Sequence, residues 1–61
     1  MSQSDIDRLF ERLAHAEGFL VTARRDAQRL EDEALYEAID AALANVRGAS
    51  RTLIDLERAS P

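Results

Sequence analysis

The chain has 61 residues, a formal net charge of −4 and no cysteine. A single core in a chain of this size seldom contributes more than about 3–5 kcal/mol of stability without disulfides, a metal or a partner. The lack of cysteine excludes disulfides and thiolate metal sites. The length excludes a catalytic scaffold around a buried pocket, so oligomerisation or partner binding is the expected source of further stability.

The composition favours an ordered helical chain. Hydrophobic residues make up 46% and charged residues 33%, and the one proline is the terminal Pro61. The long basic side chains are all Arg, which together with abundant Ala is typical of a GC-rich genome, and we expect a small bacterial or phage protein. No apolar stretch approaches the roughly 18 residues that span a bilayer, so we expect a cytoplasmic protein without membrane contact.

The first predicted helix covers about residues 4–30. Its apolar residues recur at alternating steps of three and four, which is typical of a heptad seam. The members of this first seam are Ile6, Leu9, Leu13, Ala16, Leu20, Ala23, Ala27 and Leu30. Ser4 and Asp7 have the spacing of a capping box, which predicts the start of the helix there.

A turn is predicted at about residues 31–33 and a second helix at about 33–58. The second seam begins one residue later than a continuation of the first would. One straight helix would therefore shift its apolar stripe by about 100° at this point, and a turn is the simpler explanation. Its members are Leu35, Ile39, Ala42, Val46, Ala49, Leu53 and Leu56. Asp32 is a predicted N-cap. Because the turn lacks Gly and Pro, one continuous kinked helix is the alternative.

The predicted fold is therefore all-α: a single domain, residues 1–61, that forms an antiparallel two-helix hairpin and dimerises into a four-helix bundle. Folding back near residue 32 sets large residues opposite large ones, such as Leu9 and Leu56, and Ala opposite Ala. Several apolar residues widen the seams to one side. Phe19 lies on the opposite edge of the first seam and, if exposed, is the best single candidate for a partner contact. The candidate interface residues are Phe10, Phe19, Val21, Tyr36, Leu43 and Ile54.

Signals for chemistry are weak. Glu11 and His15 could offer two metal ligands, but a stable site needs three or four, so we interpret them as an exposed pair. The carboxylates of the second helix lie off the seam, so we interpret them as a solvated helix start rather than as catalytic groups. No catalytic or nucleotide motif is present. The sequence predicts neither an enzyme nor a cofactor.

Five arginines are weak candidates for nucleic-acid contacts, because a dimer could join their exposed faces into a basic stripe. They are Arg25, Arg29, Arg47, Arg51 and Arg58. Asp40 and Asp55 interrupt this stripe, and the net charge of −4 repels phosphates. A solvated face is the favoured interpretation.

Gly18 and Gly48 each cost about 1 kcal/mol relative to Ala inside a helix. In one interpretation they are tolerated imperfections, or Gly18 ends a shorter first helix. In the other they make room where helices cross or where Phe19 of a neighbour inserts. The sequence alone favours neither interpretation.

In size and in its layers of large and small residues, the chain resembles the Rop family of plasmid-copy-number RNA-binding proteins, which are short helical hairpins that dimerise. The resemblance includes no sequence motif, so it transfers no residue role. We expect a non-catalytic protein that acts through self-association and protein–protein interaction, in a regulatory or adaptor role. The alternatives are a Rop-like RNA-binding dimer, and a co-chaperone or subunit whose apolar strip is covered by a different protein.

Overall fold

The computed structural model describes residues 2–59, and every regular element in that range is an α-helix. Helix α1 runs Gln3–Arg29 and helix α2 runs Glu33–Ala59. The helices lie antiparallel in a hairpin that measures 48 × 15 × 11 Å. The predicted all-α two-helix hairpin is confirmed, and the alternative of one continuous helix is wrong.

The start of α1 is capped by Ser2. Its hydroxyl accepts the backbone N–H of Asp5 at 3.2 Å and donates to the Asp5 carboxylate at 2.9 Å. The capping box predicted at Ser4 and Asp7 is therefore wrong by two residues. The backbone of Ser2 is extended (φ −78°, ψ 158°), which makes it the boundary residue and places Ser4 within the first helical turn.

The turn forms without Gly or Pro because Glu31 adopts the left-handed backbone conformation, with φ 57°. The Glu31 N–H donates to the carbonyl of Gln28 at 3.1 Å, which satisfies a carbonyl at the end of α1. One residue later, the Asp32 carboxylate accepts the N–H of Leu35 at 3.0 Å. The predicted Asp32 cap is thereby confirmed, and three residues, 30–32, separate the helices.

A regular line of buried and half-buried residues runs down the inner side of each helix, where the two helices meet. On α1 it consists of Ile6, Phe10, Leu13, Glu17, Leu20, Arg24 and Ala27. On α2 it consists of Tyr36, Ile39, Leu43, Val46, Ser50, Leu53 and Glu57. Steps of four and three alternate along both lines, as expected for helices that pack along their length.

These lines include four of the eight residues of the first predicted seam and three of the seven residues of the second. In a seven-residue repeat, the seven positions are spaced by roughly 50° around the helix axis. The line of residues that packs against the other helix is rotated by about one such position from the predicted seam. The reason is that one neighbouring helix covers only one side of an apolar stripe. Seam residues on the other side, such as Leu9 and Leu56, stay exposed.

Candidate interaction surface

One broad side of the hairpin carries an uncovered apolar surface, which we call the Leu–Ala face. It consists of two sets of four residues at seven-residue spacing, one set in each half of the hairpin. They are Leu9, Ala16 and Ala23 on α1 with Leu30 at its C-cap, and Leu35, Ala42, Ala49 and Leu56 on α2. The order in both sets is Leu, Ala, Ala, Leu, so the face has large residues at its ends and small ones in its middle.

The leucines of this face are exposed to a degree that is unusual for their type. Leu9 is 36% exposed, Leu35 42%, Leu56 46% and Leu30 72%. By contrast, four hydrophobic residues of the described range are buried: Ile6, Ala27, Leu43 and Leu53. An exposed apolar surface of this kind is a candidate interaction site.

The opposite broad side, which we call the polar-bridged face, is crossed by polar contacts between the helices. Arg24 Nη1 lies 2.6 Å from Asp40 Oδ1, and Arg47 Nε lies 3.5 Å from Glu17 Oε1. The Gln3 amide donates to Glu57 at 2.9 Å. Within residues 2–59, these three are the polar side-chain contacts between α1 and α2. The positions of these residues around their helices place them away from the Leu–Ala face.

The candidate interface residues lie in three different environments. Leu43 is fully buried and Phe10 and Tyr36 are half-buried, all on the inner lines of the hairpin. Val21 is half-buried beside the polar-bridged face, and Ile54 is 37% exposed on it. Phe19 is 77% exposed at the border of the Leu–Ala face. The structure does not bring these six residues together as one strip.

The arginines do not form one continuous basic surface. Arg47 is paired with Glu17, and Arg29 lies 3.8 Å from the carboxylate of Asp26. Arg51 and Arg58 are exposed on α2, and Arg25 is exposed on the outward side of α1. A nucleic-acid role for these side chains stays a prediction.

Open depressions in the described part of the chain are shallow. One, of about 360 Å³, lies at the turn and is lined by Ala27, Gln28, Glu31, Asp32, Glu33 and Tyr36. Another, of about 310 Å³, lies beside the exposed His15 and Phe19. Over residues 2–59 the side chains form no group of three or more His, Cys, Asp or Glu that could hold a metal ion.

Gly18 and Gly48 point away from the neighbouring helix. A Cβ atom added at either position would have no other atom within 4 Å, apart from its own immediate helix. Neither glycine therefore makes room for the crossing of α1 and α2. Thr22 and Thr52 donate their hydroxyls to the Gly18 and Gly48 carbonyls, at 3.1 and 3.0 Å.

Sequence reasoning overlooked the cross-helix pairs and the charged residues beside the Leu–Ala face. The pairs could have been found, because Arg24 with Asp40 and Glu17 with Arg47 match the register expected from a turn near residue 32. Arg12 and Asp26, which lie beside the Leu–Ala face on α1, could also have been noticed in the sequence, because each is seven residues from Phe19 and so shares its side of the helix.

Neither helix, as far as the chain is described, is long and apolar enough to cross a membrane. Comparisons with protein-family models, with curated proteins and with solved structures found no match. The interpretation of the Leu–Ala face consequently depends on its own geometry and chemistry.

Proposed function

We propose that this chain is a non-catalytic module that self-associates through the Leu–Ala face, so that two hairpins form a four-helix bundle. In this proposal the dimer has a regulatory or adaptor role and acts through protein–protein interaction. The observation that carries the proposal is the uncovered face itself: eight apolar residues without a charged member, with leucines up to 72% exposed.

The chemistry of the face favours a second copy as its occupant. Each half of the hairpin presents Leu, Ala, Ala, Leu at the same spacing, so the face is complementary to itself under a two-fold rotation. Leucines of one copy meet leucines of the other, and the alanines allow the helices to approach closely. Helix packing of this kind, with crossing angles near 20°, is the geometry of four-helix bundles.

The size of the face also suits a dimer. The hairpin is 48 Å long and 15 Å wide, so full coverage would remove on the order of 700 Å² from solvent on each copy. Stable interfaces bury roughly 800 Å² per partner. The predicted seams support the same arrangement. Part of each seam faces the other helix of the hairpin and the rest lies on the Leu–Ala face, so in a four-helix bundle each seam would point towards the middle.

The proposal is tested by measuring mass in solution by light scattering, over about a hundredfold range of protein concentration. A dimer of the 6.8 kDa chain is expected at micromolar concentration. Leu9→Glu, on the Leu–Ala face, is expected to give a monomer because it buries an unpaired charge in the interface. Circular dichroism of both proteins shows whether the helices persist.

The chain offers a matched control. Ile54 is 37% exposed, nearly the same as Leu9 at 36%, but it lies on the polar-bridged face. Ile54→Glu is therefore expected to leave the dimer intact. A wild-type monomer at all concentrations would contradict self-association and would point to an unlike protein as the partner. Equal effects of the two substitutions would contradict the assignment of the face.

A further inference from the structure

We propose that the two hairpins dock with their turns at opposite ends of the bundle, so that Phe19 of the two copies meets on the two-fold axis. Arg12 of one copy then faces Asp26 of the other. This inference rests on the self-association proposed above and adds the orientation and the residues that select it.

The Leu–Ala face cannot select an orientation by itself. If the turns lie at the same end, α1 of one copy lies on α2 of the other, and Leu9 meets Leu56. If the turns lie at opposite ends, α1 lies on α1 of the other copy, and Leu9 meets Leu30. Both arrangements place Leu on Leu and Ala on Ala, so the selection depends on the residues that border the face.

The two borders of the face differ in character. The outer border of α1 carries Asp5, Arg12, Phe19 and Asp26, again at seven-residue spacing. The outer border of α2 carries Ala38, Asn45, Thr52 and Ala59. In a bundle, these border positions contact the other hairpin, as positions next to a heptad seam do. Three of the four α1 residues are charged, whereas the α2 residues are neutral.

With turns at the same end, the α1 border faces the α2 border. Phe19 is then opposite Asn45, and Arg12 and Asp26 are opposite the neutral Thr52 and Ala38. The charged groups lose part of their hydration at the interface and gain no partner of opposite charge. This arrangement uses none of the complementarity that the α1 border contains.

With turns at opposite ends, the α1 border faces its own copy. The middle of the face on α1, between Ala16 and Ala23, is level with Phe19, so the two-fold axis passes beside this residue. Arg12 and Asp26 lie seven residues to either side of Phe19 and exchange places under the rotation. Two Arg12–Asp26 pairs then flank two stacked phenylalanines, which also covers a side chain that is 77% exposed in the hairpin.

Both charged side chains are accessible for these contacts. Arg12 and Asp26 are exposed. The contact of Asp26 with Arg29 in its own helix spans 3.8 Å between side chains that are 62% and 75% exposed. Such a contact is weak and is readily exchanged for a closer partner.

The test uses two charge-reversed chains, Arg12→Asp and Asp26→Arg. Each variant alone would place like charges opposite each other in the proposed dimer, and we expect self-association roughly three- to tenfold weaker than wild type. Mixed together, the two variants restore opposite charges at both pairs. The mixture is therefore expected to form mainly the heterodimer, which native mass spectrometry resolves because the chains differ in mass.

Glu11→Arg and Arg25→Asp are the matched control. Glu11 and Arg25 lie seven residues to either side of Gly18, just as Arg12 and Asp26 lie seven residues to either side of Phe19. They are, however, on the outward side of α1. Their mixture is expected to give the statistical share of about half heterodimer, with unchanged affinity. If Arg12→Asp and Asp26→Arg each dimerised with wild-type affinity and their mixture gave only about half heterodimer, the proposed orientation would be overturned and self-association would remain supported. A monomeric wild-type chain would overturn both.

Discussion

Arg24 of α1 and Asp40 of α2 form the shortest ion pair between the helices among residues 2–59, with 2.6 Å between Nη1 and Oδ1. Both side chains are partly exposed, at 28% and 53%. The pair lies on the polar-bridged face, and among residues 2–59 no ion pair joins the helices across the Leu–Ala face.

Removing the charge of Asp40 should have a small, salt-dependent effect. We expect Asp40→Asn to lower the free energy of unfolding by about 0.5 kcal/mol at low salt, and by less at high salt, because the pair is accessible to solvent. Asp55→Asn, at an exposed position, is the control and should be close to neutral. Denaturant unfolding measures both. An equal loss in the control would show that net charge, rather than the pair, is responsible.

Leu43 and Ile6 are the large side chains that are fully buried among the described residues, and Leu43 has no exposed surface. Leu43→Ala should lower the free energy of unfolding by about 2–5 kcal/mol, or unfold the chain outright, because it leaves a cavity between the helices. Ile54→Ala on the same helix removes a side chain that is 37% exposed. Its loss should be less than half as large, as followed by helicity against temperature. Similar losses would contradict the packing of α2.

Gly48 should be replaceable with a gain. Because an added Cβ meets no atom within 4 Å, Gly48→Ala should raise the free energy of unfolding by about 1 kcal/mol through helix propensity alone. Ala41→Gly, at an exposed position on the same side of α2, should lower it by a similar amount. A loss of stability or of dimer mass in Gly48→Ala would mean that the glycine makes room for a partner.

Glu31 carries the one left-handed backbone conformation among the non-glycine residues 2–59, at φ 57°. Glycine adopts this conformation without a Cβ clash, so Glu31→Gly should raise the free energy of unfolding by about 0.5–1 kcal/mol. Glu33→Gly, in the first turn of α2, should lower it instead. Thermal melts of the two variants test the difference, and shifts of the same sign would contradict this account of the turn.

The orientation of the proposed dimer is tested by the charge-reversed mixtures described above, and the use of the Leu–Ala face by the comparison of Leu9→Glu with Ile54→Glu. The two tests can fail separately when the chain dimerises, because one measures which chains pair and the other which face they use.

The two helices, the turn between them and the cap at Asp32 could all be predicted from the order of the amino acids. Periodic apolar residues, a shift of phase near residue 32 and a side chain that can accept an N–H are local signals, and local signals can be interpreted without knowing what packs where. The first cap shows the limit of this approach. Ser2 with Asp5 and Ser4 with Asp7 have the same spacing, and only the folded backbone selected Ser2.

Which residues of each apolar stripe are buried, and which stay exposed, could not be predicted in this way, because it depends on how the helices pack. A seven-residue repeat determines where a stripe lies on a helix, but one antiparallel neighbour covers only part of it. Packing α2 against α1 buried Leu43 and half-buried Phe10, which lie beside the predicted seams, and left Leu9 and Leu56, which belong to them, exposed. Which side of a stripe stays open depends on where the neighbouring helix lies, and that position arises from contacts between residues far apart in the chain.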